Sequence, residues 1–113
     1  MTKALATLLL LVLLQSATAL GSEPVRTSVA RPYFNCVHAA AIRYAKKAED
    51  VSAVIQAAEA SCQEERVDLL ATILAEHAYR GTPGNLEQIG NRTLELMEAR
   101  WRPDIVKAIL DAR

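Results

Sequence analysis

The feature that most constrains this chain is its pair of cysteines, Cys36 and Cys62, each of which lies on an apolar stripe with helical spacing. One stripe runs along residues 33–48 and the other along residues 51–73, with apolar residues at intervals of three and four. An antiparallel helical hairpin that turns midway between the cysteines, at 49–51, brings them side by side. The spacing therefore predicts that the fold is built on such a hairpin.

The hairpin favours one disulfide bond between Cys36 and Cys62. A disulfide needs Cα atoms about 5.5 Å apart, and facing positions on two close-packed helices can supply that distance. The chain has 20 alanines, whose small side chains let helices approach closely. An intermolecular disulfide and two free thiols are the alternatives. There is no C-x-x-C motif, so a redox role of the thioredoxin type has no support.

The first 19 residues have the layout of a secretory signal peptide. Lys3 supplies a positive start, residues 4–14 are an apolar run, and Ala-Thr-Ala at 17–19 is a typical cleavage site. A helix that spans a bilayer needs about 20 apolar residues, so this run is too short to act as an anchor. We expect cleavage after residue 19, no stable membrane insertion afterwards, and a periplasmic or secreted protein, a location that also favours a disulfide.

The remaining chain divides into a short lead-in and a helical domain. Residues 20–31 contain Gly, Ser and Pro without periodicity, which predicts a flexible segment. The helical domain is expected over 32–113, and Pro32 suits the first turn of its first helix. The second helix is expected to be continuous over 51–80, because neither Gly nor Pro interrupts it. A capping box at Ser61 offers an alternative break there.

Three further signals divide the C-terminal half. Gly81 predicts the end of the second helix, and Asn85 predicts the start of a third. Pro103 disfavours the α conformation of the residue before it, so a break is expected at Trp101-Arg102. The side chains expected inward are Leu86, Ile89, Thr93, Leu96 and Met97 before this break, and Ile105, Ile109 and Leu110 after it. The predicted fold class is thus all-α, a small bundle of three to four helices on an antiparallel hairpin pinned by one disulfide.

Charge and motif content argue against several functions. Thirteen Lys and Arg residues balance thirteen Asp and Glu residues, without the basic face that nucleic-acid binding requires. His38 and His77 are the only histidines, and their spacing matches no known ligand set. A G-x-S-x-G motif and a glycine-rich phosphate loop are both absent. The sequence therefore predicts no enzyme activity, no metal site and no cofactor.

These features favour a non-enzymatic module that binds a protein partner in the cell envelope. Candidate contacts are Ile42 and Arg43, which lie on exposed faces of the first helix, and Trp101, the single tryptophan. A competing interpretation of Trp101 is that it closes the small core where two helices meet.

Alternative functions come from general resemblance. In size, export, helicity and a single disulfide the chain resembles acid-stress periplasmic chaperones. It is similar in the same general way to periplasmic immunity proteins, which inhibit toxins that degrade the cell wall. Neither group shares a motif with this sequence, so the resemblance assigns no residue. A small hydrolase is a further alternative, which would need a cleft with perturbed titratable groups.

Overall fold

The computed structural model describes residues 23–113, so the predicted signal peptide at 1–19 lies outside the described residues. The described part contains four α-helices and no strand. The all-α prediction is therefore confirmed. The helices are α1 (Glu23–Tyr44), α2 (Val51–Ser61), α3 (Gln63–Arg80) and α4 (Leu86–Asp111). None of them is long and apolar enough to cross a membrane.

The predicted hairpin is formed by α1 and α2, which pack together more extensively than any other pair of helices. Asp50 begins α2 as its N-cap, and its carboxylate accepts a hydrogen bond of 2.9 Å from the Ser52 backbone N–H. Cys36 and Cys62 form the predicted intramolecular disulfide, with their Cα atoms 5.9 Å apart. The bond ties the middle of α1 to the junction between α2 and α3.

Arg113 stabilises the turn of this hairpin through hydrogen bonds. The Arg113 guanidinium donates hydrogen bonds to the carbonyl oxygens of Ala45, Ala48 and Glu49, at 2.8, 2.6 and 3.0 Å. Carbonyl groups just past a helix end lack helical partners and carry partial negative charge, so a cation stabilises them. The end of α4 is thereby held against the turn between α1 and α2.

The expected helix start at Pro32 is wrong, because α1 begins at Glu23 and Pro32 lies inside it. Proline costs the helix one hydrogen bond, to the carbonyl of Ser28 four residues earlier. Both residues are exposed, so water can reach that carbonyl. Ala30 is buried in the core just before the proline, and its packing supports helix in a segment that was expected to lack structure.

The expected continuous helix over 51–80 is also wrong, and the alternative break near Ser61 is confirmed. Cys62 has φ −111° and ψ 27°, which separates α2 from α3. The capping box itself does not form, since the Ser61 hydroxyl donates instead to the carbonyl of Ala58 at 2.8 Å. This bond competes with the helical pattern at the end of α2.

The expected break at Trp101-Arg102 does not occur, because α4 is continuous through Pro103. The carbonyl that loses its donor belongs to Ala99, and both Ala99 and Pro103 are exposed to solvent. Buried side chains on both sides of the proline hold α4 in place, among them Leu94 and Ile105. Tertiary packing therefore overrides the local preference of the residue before proline.

The continuity of α4 also fixes which of its residues face inward. Ile105 and Ile109 are buried as expected, but Leu96 and Leu110 are 60% and 54% exposed. Leu96 lies two residues beyond the buried Leu94 and is therefore rotated about 200° around the helix. Leu110 is rotated about 100° from the buried Ile109. The prediction that Leu96 and Leu110 face the core is therefore wrong.

Candidate functional site

An apolar groove of about 670 Å³ runs between α1, α3 and α4. Its volume lies within the range of sites that bury a ligand or part of a partner. The walls on α3 and α4 extend over Leu69–Arg80 and Thr93–Asp104. Eleven residue steps of helix measure about 17 Å, which equals about three helical turns. The apolar side chains that line it are Val29, Phe34, Leu69, Ile73, Met97 and Trp101.

Aromatic rings join this groove to the core. The half-buried Trp101 packs edge-on against Tyr33 and Phe34, with ring centroids 5.4 and 5.6 Å away. Tyr33 is fully buried, whereas Phe34 is half-buried. Trp101 thus has one side in the core and the other on the groove, so both sequence-based interpretations of this residue describe part of its position.

The rim of the groove is charged, with more positive than negative groups. Glu76 and Arg80 form an ion pair one turn apart on α3. The other ionic rim residues are Arg31, Arg100 and Asp104, and no salt bridge between described residues includes any of them. Three arginines against two carboxylates give the rim a positive balance.

A second groove, of about 520 Å³, lies on the other side of α4, against α2 and α3. Four charged side chains that line this groove form two ion pairs with one another. The Glu98 carboxylate, only 8% exposed, accepts hydrogen bonds from the Tyr33 hydroxyl at 2.8 Å and from the Arg66 guanidinium at 3.2 Å. Arg102 forms a salt bridge of 3.5 Å with Glu59 beside them. We call these five residues the polar cluster.

The environment of the polar cluster shifts three pKa values upward. Burial raises the pKa of Tyr33 far above 10, and the hydrogen bond to Glu98 raises it further. Burial, and then the negative charge of Glu98, raises the pKa of Glu59. The hydrogen bond to Glu98 raises the pKa of Arg66. Tyr33 therefore stays neutral and Arg66 stays charged over the physiological range, which suits a structural network.

The structure separates the three predicted partner contacts. Trp101 lies on the apolar groove, whereas Ile42 and Arg43 do not line it. Ile42 is 45% exposed near the C-terminal end of α1. The Arg43 guanidinium lies 5.8 Å from the centroid of the Tyr44 ring, within the range of a cation–π contact.

The histidines and cysteines are engaged in ordinary contacts. The His38 ring lies 5.7 Å from Phe34, and His77 Nδ1 lies 3.3 Å from the Thr82 hydroxyl. Within residues 23–113, the one set of three ligand-type side chains close enough to share a metal is Cys36, Cys62 and Glu65. Both sulfur atoms of that set are already joined in the disulfide.

Sequence reasoning missed the polar cluster and most of the apolar groove. A signal for Glu98 was present, since it follows Leu94 by four residues and precedes Ile105 by seven, on one helical face. A carboxylate on an apolar face implies a buried partner. The groove had no comparable signal, because Val29 and Phe34 meet Met97 only after α1 packs across α3 and α4.

No protein-family model matches the chain, and no curated protein or solved structure matches it either.

Proposed function

We propose that this is an exported, non-enzymatic module that binds a protein partner in the cell envelope through the apolar groove between α1, α3 and α4. The observation that carries the proposal is the groove itself, where Phe34, Met97 and Trp101 remain only half-buried beside a packed core. Apolar surfaces of this kind, rimmed by polar groups, are typical of interaction sites. Export is supported by the disulfide and by the predicted signal peptide at 1–19.

The proposed occupant is an amphipathic helix of the partner with acidic residues along one edge. The groove accommodates about three helical turns, and its apolar centre suits residues spaced at three and four. Glu76 neutralises Arg80 on the α3 rim, whereas Arg31 on the α1 rim has no salt-bridge partner among the described side chains. A carboxylate on the incoming helix beside Arg31 would complete the charge balance.

Binding is favoured over catalysis by the state of the polar cluster. Its carboxylates and guanidinium groups already satisfy one another, and its one hydroxyl is fully buried. A general base or nucleophile must instead reach a substrate. An inhibitor of a toxin would use the apolar groove in the same way, so the immunity alternative is one form of this proposal.

An acid-activated chaperone receives less support from the titratable groups. Such a protein must lose stability and expose apolar surface as the pH falls. A carboxyl whose pKa is raised by folding acts in the opposite direction, because protonation then favours the folded state. Glu59 is such a group, so its contribution to stability grows as the pH falls.

The test measures binding of two model helices by isothermal titration calorimetry. The peptides share one apolar face and differ only in an acidic or a basic edge. We expect saturable binding of the acidic peptide and binding of the basic peptide weaker by at least about tenfold. Equal binding of both peptides, or binding of neither, would overturn the proposal.

Two exposed valines provide a matched pair of variants. Val29 lines the groove and is 37% exposed, whereas Val67 lies on α3 outside it and is 52% exposed. Val29→Asp should weaken acidic-peptide binding by at least about tenfold, and Val67→Asp should leave it unchanged. Replacing His38, which does not line the groove, with Gln should not affect the fold or the protein's biological effect, since no proton transfer is involved.

A further inference from the structure

A separate surface lies on the side of α4 that faces away from the core. Leu96 and Leu110 are 60% and 54% exposed there, and Pro103 lies between them, also exposed. The three residues are seven apart, which is close to two full turns of helix. They therefore form a straight apolar stripe over about 21 Å, roughly opposite the buried Leu94 and Ile105.

We propose that this outer stripe of α4 pairs with the same stripe of a second copy of the chain. Leu96 and Leu110 are equally distant from Pro103 in sequence. When two α4 helices cross antiparallel with the two-fold axis at Pro103, Leu96 of each copy lies opposite Leu110 of the other. One register thus covers all three exposed positions on both copies, as a closed two-fold dimer requires.

The charges beside the stripe favour a second copy over a different protein. Arg100 and Asp104 lie on the same flank of the stripe, and neither takes part in a salt bridge between described residues. In the two-fold arrangement, Arg100 lies about 3 Å along the helix axis from Asp104 of the second copy. The symmetry forms this ion pair twice.

Among the other cations on this side of α4, exposed Arg92 has no salt bridge between described residues, but it lies one turn before Leu96, outside the three paired positions. Two further cations are already paired. Lys107 is bound to Asp111 at 2.7 Å, and Arg102 is bound to Glu59 at 3.5 Å. Both positive charges are therefore already neutralised within one chain. Arg100 and Asp104 also lie on the rim of the apolar groove, so their pairing would leave Arg31 as the rim cation without a salt bridge among the described side chains.

Cysteine cross-linking tests the predicted register with the native disulfide already formed. Pro103→Cys lies on the symmetry axis and should cross-link to itself under mild oxidation. Leu96→Cys should not cross-link to itself, but a mixture with Leu110→Cys should give a heterodimer. The register would be refuted if Pro103→Cys gave no cross-linked dimer. It would also be refuted if all combinations, and an exposed Val67→Cys control, gave equal yields of cross-linked dimer.

Sedimentation velocity tests the dimer without introduced cysteines. Leu96→Glu should weaken self-association by at least about tenfold while the helical circular dichroism spectrum stays unchanged. Arg100→Asp should also weaken the dimer, and adding Asp104→Arg should restore it by exchanging the two charges. A wild-type chain that stays monomeric at about 100 µM would overturn the inference. That result would leave the proposed binding of peptides in the apolar groove untouched.

Discussion

Two neighbouring residues of α1, Tyr33 and Phe34, contact two different regions beside α4, the polar cluster and the apolar groove. The Tyr33 hydroxyl enters the polar cluster and binds Glu98 at 2.8 Å. The Phe34 ring lines the apolar groove and contacts Trp101. In the first region every buried polar side-chain atom has a partner within the described chain. In the second, apolar side chains stay partly exposed, and Arg31 has no salt bridge among the side chains that the structure describes.

This difference supports the proposal that the polar cluster stabilises the fold, whereas the apolar groove binds a partner. A buried carboxylate that lacks partners costs several kcal/mol, so the contacts of Glu98 stabilise the packing of α1 and α3 on α4. The half-buried rings, and Arg31 without a salt bridge among the described side chains, contribute little to the isolated fold. The same groups can contribute favourably to the free energy of binding when another molecule covers them.

The largest expected effect comes from removing the disulfide, which disrupts both regions together because α1 supplies a residue to each. The chain-entropy model assigns about 3.5 kcal/mol to a closed loop of 26 residues. The Cys36→Ala/Cys62→Ala variant should lose about that much free energy of unfolding in urea denaturation. A loss below about 1 kcal/mol would mean that packing alone holds α1 in place.

Breaking the polar cluster alone should have the next largest effect. Glu98→Ala leaves Arg66 and the Tyr33 hydroxyl without their buried acceptor, and we expect a loss of about 3 kcal/mol in urea denaturation. Glu95→Ala is the matched control, since Glu95 lines the same groove but is exposed. Similar losses in both variants would contradict a structural role that is specific to Glu98.

The alkaline pH dependence should separate Tyr33 from the exposed Tyr79. Folding raises the pKa of Tyr33 above its usual value of 10, so its stabilising contribution is complete below pH 10 and is lost as the pH rises further. Tyr33→Phe should cost about 1.5 kcal/mol at pH 8 and should flatten the decline above pH 10. Tyr79 is 93% exposed, and Tyr79→Phe should retain the wild-type dependence in urea denaturation at each pH.

The smallest expected effect on stability is that of a rim charge in the apolar groove. Arg31→Glu should change the free energy of unfolding by less than about 0.5 kcal/mol, as is usual for exposed positions. The same change should reverse peptide preference, so that the basic-edged helix binds better than the acidic one in calorimetry. An unaltered preference would show that Arg31 does not select the partner.

The sequence predicted the features that depend on local pattern. The cysteine stripes predicted the hairpin and its disulfide, Asn85 predicted the start of α4, and Gly81 predicted the end of α3 with its φ of 65°. Each of these signals lies within a few residues of the structure it determines. Pattern alone was therefore sufficient to predict the class of the fold.

The errors arose where distant packing overrides a local preference. Pro32 and Pro103 both lie inside helices, because the carbonyls that lose a donor, those of Ser28 and Ala99, belong to exposed residues and buried neighbours hold each helix in place. The Phe34–Trp101 contact of the apolar groove joins residues 67 positions apart (101 − 34), and the Tyr33–Glu98 hydrogen bond joins residues 65 positions apart. No periodicity within one segment can predict which of these side chains meet.

Trp101 permits the most direct test of the claim that the apolar groove is the binding surface. It is the chain's only tryptophan and lines the groove, so its fluorescence reports on occupancy there. Titration with the acidic-edged helix should shift Trp101 emission to shorter wavelength with saturation, and Val29→Asp should abolish the shift while Val67→Asp preserves it. Emission that does not change in the wild-type protein, or that shifts equally in the Val29→Asp variant, would contradict the account.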